Sequence, residues 1–260
     1  MLNGKFYIKM EVNVLVSHEV PKTLLNDSLK FNDYDYFLIH QIINFKEYKD
    51  FFNVSKKLNR RQILDNSCYE LKESFDFDKF ANFVKELKPS EYLIPDCFND
   101  KEKNLELFDK WMTKYSNLEG TKIVTLHGKT ISDFIESYKY FDKYNVKIAF
   151  NFAETMFKDF GSLSEGRKKV FKDLLPYINQ NKKHHLLGCY LPQDFEFFKN
   201  FSFIETIDTS SPICSAFELK KYPISEKPKI TIDEVQNTVP TIEIMKLINY
   251  NTLYFKKYTR

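Results

Sequence analysis

Short apolar runs alternate along this chain with stretches in which apolar residues recur three or four positions apart. The runs predict eight β-strands: Glu11–Val16, Tyr36–His40, Gln62–Leu64, Tyr92–Ile94, Lys122–Leu126, Val146–Phe150, His185–Gly188 and Phe203–Ile207. The stretches predict helices over Asp76–Leu87, Lys101–Tyr115, Ile131–Tyr144, Glu165–Asn179 and Gln193–Asn200. Strands that alternate with helices favour an α/β fold, a (β/α)8 TIM barrel, with an open doubly wound sheet as the alternative.

The last forty or so residues have a different pattern. Pro223, Pro228 and Pro240 interrupt the alternation, and an apolar helical stretch follows over Thr241–Tyr254. A chain of 260 residues suits one barrel domain. We therefore expect a barrel over residues 1–220 and a C-terminal helical extension over 221–260 that packs on it.

Composition narrows the function classes. A net charge of +3 is too small to indicate a nucleic-acid binder by itself. No apolar run is long enough to span a membrane, and the N-terminal MLNGKFYIKMEVNV lacks a signal-peptide core. We expect a cytoplasmic protein with no membrane partner, in the host cytoplasm if a phage encodes it. The four cysteines form no CxxC pair and no glycine-rich phosphate loop is present, so neither metal nor cofactor is predicted.

Three acids stand where predicted strands end. Asp65 follows QIL, Asp96 follows YLIP, and Asp208 follows FIETI. The carboxyl ends of the strands of a parallel barrel converge on one mouth, where active sites are built. The sequence therefore predicts a site with three carboxyl groups. His184 and His185 are no metal pair, because neighbours on a strand point to opposite faces, and we assign both to structure.

Five segments, in order, carry a resemblance to a known family: LDNSCYE, IPDCFND, LHGK, LLGCYLPQDF and IDTSSPIC. They resemble sequence motifs of the tRNA-guanine transglycosylase superfamily, and especially of its small phage and bacterial branch, the DpdA-like DNA-guanine transglycosylases. The resemblance extends from about Leu64 to Cys214. It implies a barrel enzyme that exchanges guanine in a polynucleotide for a 7-deazaguanine base such as preQ0, through a covalent intermediate.

The resemblance also implies roles for individual residues. Asp208 would be the nucleophile and Asp65 the general acid and base, while Tyr69 and Leu187 would lie on opposite faces of the base. The implied substrate-binding residues are Asp96, Tyr69, Asn66, His127, Gly128, Leu187 and Gly188. Gly128 and Gly188 would let the backbone approach the ligand closely.

Some residues depart from the family pattern. His127 stands where the family has glutamine, and Ser67-Cys68 replaces a glycine pair. The tRNA enzymes carry a zinc site of three cysteines and a histidine beyond the nucleophile, whereas only Cys214 and no histidine follows Asp208 here. We therefore expect DNA, with a flipped or single-stranded guanine, as the partner rather than tRNA; a homodimer remains an option. The alternatives are a tRNA-guanine transglycosylase, a non-catalytic subunit of one, and a metal-dependent TIM-barrel hydrolase.

Overall fold

Eight parallel strands form a nearly closed barrel in the computed structural model, which describes residues 13–151, 163–189, 191–192 and 195–259. The strands are β1 (Leu15–His18), β2 (Asp35–Leu38), β3 (Gln62–Asp65), β4 (Glu91–Leu93), β5 (Thr121–Leu126), β6 (Lys147–Phe150), β7 (His184–Leu186) and β8 (Ile204–Thr209). They pair in the order β1-β8-β7-β6-β5-β4-β3-β2, and every pair is parallel. The predicted (β/α)8 fold is confirmed.

Helices connect successive strands and cover the outside of the barrel. They are α1 (Leu25–Ser28), α2 (Ile39–Asn44), α3 (Lys46–Lys57), α4 (Cys68–Leu71), α5 (Phe77–Leu87), α6 (Lys101–Tyr115), α7 (Ile131–Phe141), α8 (Leu163–Leu174), α9 (Phe195–Phe198), α10 (Ser211–Phe217) and α11 (Ile242–Lys257). Single 3₁₀ turns occur at Lys22–Leu24, Leu175–Tyr177 and Asp233–Val235. In the described part of the chain, no helix has the length and apolarity needed to cross a membrane.

The barrel closes where β1 meets β2. The Asp33 amide donates to the Val16 carbonyl at 2.9 Å, and the Tyr36 amide donates to the Ser17 hydroxyl at 3.1 Å. A side chain therefore replaces part of the backbone ladder at this junction, which satisfies strand-edge groups that would otherwise be left unpaired.

All eight predicted strands are present, but some boundaries differ. β1 begins at Leu15, and the predicted start at Glu11 lies outside the described residues, as does the predicted helix start at Gln193. β2 ends at Leu38, because the chain turns directly into α2, so His40 is helical rather than at a strand end. The helix α3 was not predicted, although its buried residues Tyr48, Phe51, Phe52 and Ser55 have helical spacing.

Side chains that point into the barrel follow the two-residue period of each strand. One apolar cluster within the barrel contains Tyr34, Ile63, Leu93, Ile123 and Ala149. Because Ile63 points inward, Asp65 two residues later does too, and it lies nearer the carboxyl end of β3. The same period places Asp208 above Thr206 on β8. This apolar cluster therefore fills part of the barrel between its floor and its mouth.

A group of buried charges forms the floor. The Lys147 ammonium on β6 contacts Glu91 Oε2 on β4 at 3.1 Å and Glu205 Oε2 on β8 at 2.9 Å. Arg61 pairs with both of these glutamates. Burial lowers the pKa of Lys147, against the opposing effect of the two carboxylates. Burial would raise the pKa of Glu205, but Arg61 and Lys147 outweigh it and lower that pKa to about 2.

The helical C-terminal extension shares the barrel's core. Tyr222, Ile232, Ile248 and Phe255 are buried in the same hydrophobic cluster as the strands and helices of the barrel. The Val14 amide donates to the Thr259 carbonyl at 3.1 Å, which ties the end of α11 to the start of β1. The preceding segment, residues 227–233, lines the mouth. Residues 221–260 therefore contribute both to the core and to the site.

We predict that Lys147→Met destabilises the protein by about 3–5 kcal/mol at neutral pH, because Glu91 and Glu205 lose a buried partner. Urea unfolding measures this, with the exposed Lys57→Met as the control that changes stability by less than about 0.5 kcal/mol.

The effect of Lys147→Met should also depend on pH. Glu205 has a lowered pKa, so its stabilising effect is present above the pKa of glutamate in the unfolded chain and is lost as the pH falls towards 2. The deficit of the variant should therefore shrink in acid; a deficit independent of pH would contradict this account.

Candidate active site

A cavity of about 560 Å³ opens at the carboxyl ends of the strands. This volume is typical of a site for a small ligand. Eight of the nine residues predicted from the sequence line it: Asp65, Asn66, Tyr69, Asp96, His127, Leu187, Gly188 and Asp208. The structure thus brings together residues that are up to about 140 positions apart in the chain.

Asp208 is a buried carboxyl group held by N–H donors. The Gly188 amide donates to its Oδ1 at 3.2 Å and its Oδ2 at 3.1 Å, and His185 Nε2 lies 3.0 Å from Oδ1. Gly188 has a φ of +57°, a conformation that glycine adopts without strain. These contacts hold the carboxyl group of Asp208 in one orientation at the mouth of the barrel.

Asp65 has a different environment. Burial raises its pKa well above the ordinary value, and the nearby Glu70 charge adds to the effect. The Ser67 amide and the Tyr36 hydroxyl donate to its two oxygens and only partly oppose this. Ser67 adopts a φ of +60°, which turns the chain so that its amide faces Asp65. Asp65 therefore retains a proton at a pH where an exposed aspartate has lost it.

Two further acids that the sequence analysis missed, Glu19 and Glu70, lie in the same cavity. Burial raises the pKa of both, and the Asp208 charge raises that of Glu19 further. Glu19 follows the apolar run of β1, which is the same strand-end pattern that identified Asp65 and Asp208. Its signal was available in the sequence, but the strand before it was predicted to end too early.

His127 and Asp96 form a buried pair. His127 Nε2 lies 2.7 Å from Asp96 Oδ2, and its Nδ1 faces Asn151 Nδ2 at 2.9 Å and the Asn99 amide at 3.4 Å. A backbone amide can only donate, so Nδ1 is the acceptor and the ring proton lies on Nε2, directed at Asp96. Both ring nitrogens of His127 are therefore bound to protein groups, and the residue orients Asp96.

Asp96 keeps one oxygen for a ligand. Burial would raise its pKa, but the His127 ring that donates to it, helped by the Thr125 hydroxyl and the Cys68 thiol, outweighs that effect and lowers it. Its Oδ1 is buried and accepts no hydrogen bond of ordinary geometry from the described residues, although the same hydroxyl and thiol lie close enough to help lower the pKa. An unpaired buried acceptor is costly unless a ligand supplies a donor. Asp96 therefore suits recognition of an N–H group.

Tyr69 and Leu187 supply apolar walls. Tyr69 is 39% exposed at the rim of the cavity, with its ring 5.9 Å from that of Phe98 and the Lys72 ammonium 3.9 Å from its centre. Leu187 is half-buried at the end of β7 and packs against the apolar cluster of the barrel interior. A planar ligand in this cavity would have both side chains available for contact.

Gly128 and Asn66 have structural explanations. A Cβ on Gly128 would lie 2.5 Å from Asp133 Cβ, so this glycine permits the close approach of α7, and it does not line the cavity. Asn66 donates to the Ile94 carbonyl at 2.9 Å and accepts from the Cys68 amide at 2.9 Å. It lines the cavity, but its amide fixes the loop that follows Asp65.

Three other residues missed by sequence reasoning are Tyr36, Asn151 and His185. Tyr36 stacks on His185 with ring centres 5.8 Å apart, across the barrel from β2 to β7. As expected from strand geometry, His184 points the other way and stacks on Tyr138. His185, which the sequence analysis assigns to structure, contacts Asp208 and so supports one of the predicted site residues. No signal in a single sequence distinguishes the two histidines.

The described residues include no group of three or more histidine, cysteine, aspartate or glutamate side chains arranged to hold a metal ion. No known protein family matches the chain, and no curated protein matches it. The function is therefore argued from the site.

We predict that Glu19→Gln stabilises the protein at pH 8 but not at pH 4. A raised pKa means that the folded state keeps a proton that the unfolded state releases, so stability is lost as the pH rises above the ordinary glutamate value. Glutamine cannot ionise and avoids that cost. Thermal melting should show a gain of about 2–4 °C at pH 8, equivalent to about 1 kcal/mol. The exposed Glu73→Gln is the matched control, and an equal gain at both pH values would contradict the interpretation.

Proposed function

We propose that this protein is a DNA-guanine transglycosylase, which exchanges guanine in DNA for a 7-deazaguanine base. The observation that carries the proposal is the contrast between two carboxyl groups in one cavity. Asp208 is oriented by the Gly188 amide and His185, as a nucleophile would be, whereas burial raises the pKa of Asp65, as suits a proton donor. Enzymes that break glycosidic bonds with retention use such a pair, one ionised nucleophile and one proton donor.

In the first step, a carboxylate oxygen of Asp208 attacks C1′ of the nucleotide. A C1′–O bond forms and the C1′–N9 bond breaks, with its electron pair going to guanine. Asp65 gives its proton to the departing base and becomes a carboxylate. The polynucleotide is then attached to Asp208 as a glycosyl ester.

In the second step, the incoming 7-deazaguanine occupies the position that guanine has left. Asp65, now ionised, removes the proton from N9 of this base. N9 attacks C1′, the ester bond to Asp208 breaks, and the nucleophile is regenerated. Asp65 recovers its proton, so the reaction needs no external acid, oxidant or reductant.

Asp96 supports the choice of guanine. Guanine presents two neighbouring donors, N1–H and the N2 amino group, to a carboxylate. Asp96 has a lowered pKa, and its buried Oδ1 accepts no hydrogen bond of ordinary geometry from the described residues. Adenine has an unprotonated N1 at the corresponding edge and would leave that acceptor unpaired.

The backbone also supports the family resemblance. Ser67, which stands at the first glycine of the family's D-S-G-G segment, has a φ of +60°. Gly188 stands at the first glycine of the L-M-G-V-G segment and has a φ of +57°. Both positions have the left-handed conformation that glycine favours, which is what a family glycine at each position predicts.

The preference for DNA rests on the region after the nucleophile. Between Asp208 and Arg260 the chain contains Cys214 and no histidine. Cys214 is buried in α10, where it cannot help to form a surface zinc site. The tRNA-anchoring element that the resemblance associates with zinc therefore has no counterpart there. Since the base must enter a cavity, the substrate is a flipped or single-stranded nucleotide.

We predict that Asp208→Asn abolishes release of labelled guanine from single-stranded DNA. Asparagine keeps the shape of the side chain but is too weak a nucleophile to form the ester. With preQ0 as the incoming base, nucleoside mass spectrometry should show incorporation by the wild type and none by Asp208→Asn. Asp65→Asn should retain DNA binding and reduce kcat by about 100-fold or more, because it removes general acid catalysis.

The outcomes separate the candidate functions. Incorporation into tRNA but not into DNA would overturn the choice of substrate. Base release without incorporation would indicate a glycosidase instead. An Asp208→Asn variant with full activity would refute the assignment of the nucleophile.

We predict that Asp96→Asn lowers kcat/KM for guanine-containing DNA by about 10- to 100-fold, because an amide presents a donor where the base needs an acceptor. The preference for guanine over hypoxanthine, which lacks the N2 amino group, should fall at the same time. The control is Asp100→Asn, at the N-cap of α6, since asparagine caps a helix as well as aspartate does. Unchanged discrimination between the two bases would remove Asp96 from base recognition.

A further inference from the structure

Beneath the proposed nucleophile, a chain of hydrogen bonds runs down the barrel interior. His185 Nε2 lies 3.0 Å from Asp208 Oδ1, and His185 Nδ1 lies 2.9 Å from the Thr206 hydroxyl. The Lys147 ammonium lies 2.7 Å from that same hydroxyl oxygen. Lys147, Thr206 and His185 are all buried, so water does not compete for these contacts.

The direction of each bond follows from what each group can donate. An ammonium has donors only, so Thr206 Oγ1 accepts from Lys147. The other end of the chain sets the remaining directions: a carboxylate can only accept, so His185 Nε2 donates to Asp208, and Nδ1 of a neutral ring then accepts the Thr206 hydroxyl proton. A ring that accepts at Nδ1 carries its proton on Nε2, and that proton points at Asp208.

We propose that Lys147, Thr206 and His185 are positioning residues that fix the tautomer of His185 and thereby the orientation of the Asp208 carboxylate. The inference rests on the proposed function for the role of Asp208 as a carboxylate, whereas the tautomer of His185 can be measured without any assay of activity. His185 donates to Oδ1, the Gly188 amide contacts both oxygens, and the carboxyl group of Glu19 makes a further hydrogen bond to Asp208. His185 thus fixes one of the two oxygens, and with it the plane of the carboxyl group.

The charges around His185 are consistent with a neutral ring. Burial lowers its pKa, against the opposing hydrogen bond and charge of Asp208. Lys147 below the ring disfavours a second positive charge, while Glu91 favours it more weakly. Tyr36 covers one face of the ring, with an angle of 13° between the two planes. A neutral His185 with one proton thus serves as a directional donor rather than as a counter-ion.

The test compares Thr206→Val, which keeps the shape of the side chain but lacks the hydroxyl, with Thr206→Ser, which retains the donor. Two-bond ¹H–¹⁵N correlation spectra distinguish protonated from unprotonated ring nitrogens. We expect the Nε2–H tautomer of His185 in the wild type and in Thr206→Ser, and its loss in Thr206→Val. Circular dichroism and thermal melting verify that both variants fold.

The kinetic arm measures base exchange on single-stranded DNA. Thr206→Val should lower kcat by about 10- to 100-fold with little change in KM, the usual size of the loss when a group that orients a histidine is removed. Thr206→Ser should stay within about threefold of the wild type. If Thr206→Val merely lost structure, its folded fraction would fall. The folded molecules of the two variants would then show the same His185 tautomer.

Each result is decisive. An imidazolium or an Nδ1–H tautomer in the wild type would overturn the proposal, as would a Thr206→Val variant with the wild-type tautomer or wild-type kcat. If the wild type shows no base exchange, the proposed function fails. The spectra would still establish whether the chain directs a proton at Asp208, so the two failures are distinguishable.

Discussion

The buried ammonium of Lys147 is the interaction on which the interior of this barrel depends. A charge without water must be surrounded by partners, and here the partners come from β4 and β8, which do not neighbour β6 in the sheet. The contacts therefore cross the barrel and fix which face of each strand points inward. A shift of one residue in any of these strands would bury the wrong side chains. The register that satisfies Lys147 is the same register that delivers Asp208 to the mouth.

In the mouth above this floor, two aspartates have different surroundings and therefore suit different tasks. Asp65 and Asp208 are both buried aspartates at strand ends. Two N–H donors, the Gly188 amide and the His185 ring, orient Asp208 beside Glu19, whereas Asp65 is buried near Glu70 and has a raised pKa. Keeping several carboxyl groups buried lowers the stability of the fold at neutral pH, since the unfolded chain releases those protons freely. Such a cost is expected at a site where function requires an acid to keep its proton.

Much of the fold and part of the site could be predicted from the sequence. The apolar runs predicted the eight strands and the acids that follow three of them, because a buried strand is apolar within its own short segment of sequence. The contact of His185 with Asp208 leaves none: it depends on which of two adjacent histidines points inward, and that is set by pairing with strands far away in the chain. His127 was predicted to contact a ligand, but its environment of Asp96, Asn151 and Asn99 could not be read from its own segment. Glu19 was missed only because the boundary of β1 was misplaced.

An acid-rich mouth is an unusual entrance for a polyanion, and the protonation pattern resolves much of the conflict. The raised pKa values of Glu19, Asp65 and Glu70 keep these groups neutral over a range in which exposed carboxyl groups are charged. Asp96 has a lowered pKa and is the charge that the proposed base recognition uses, while Asp233, whose pKa is also lowered, lies beside His40. The rim carries Lys72, Lys227 and Lys229. On the proposed function, phosphates would meet these lysines while the uncharged base passes inward. Such a distribution of charge would favour entry of a flipped base first and would keep the backbone away from the floor of the cavity.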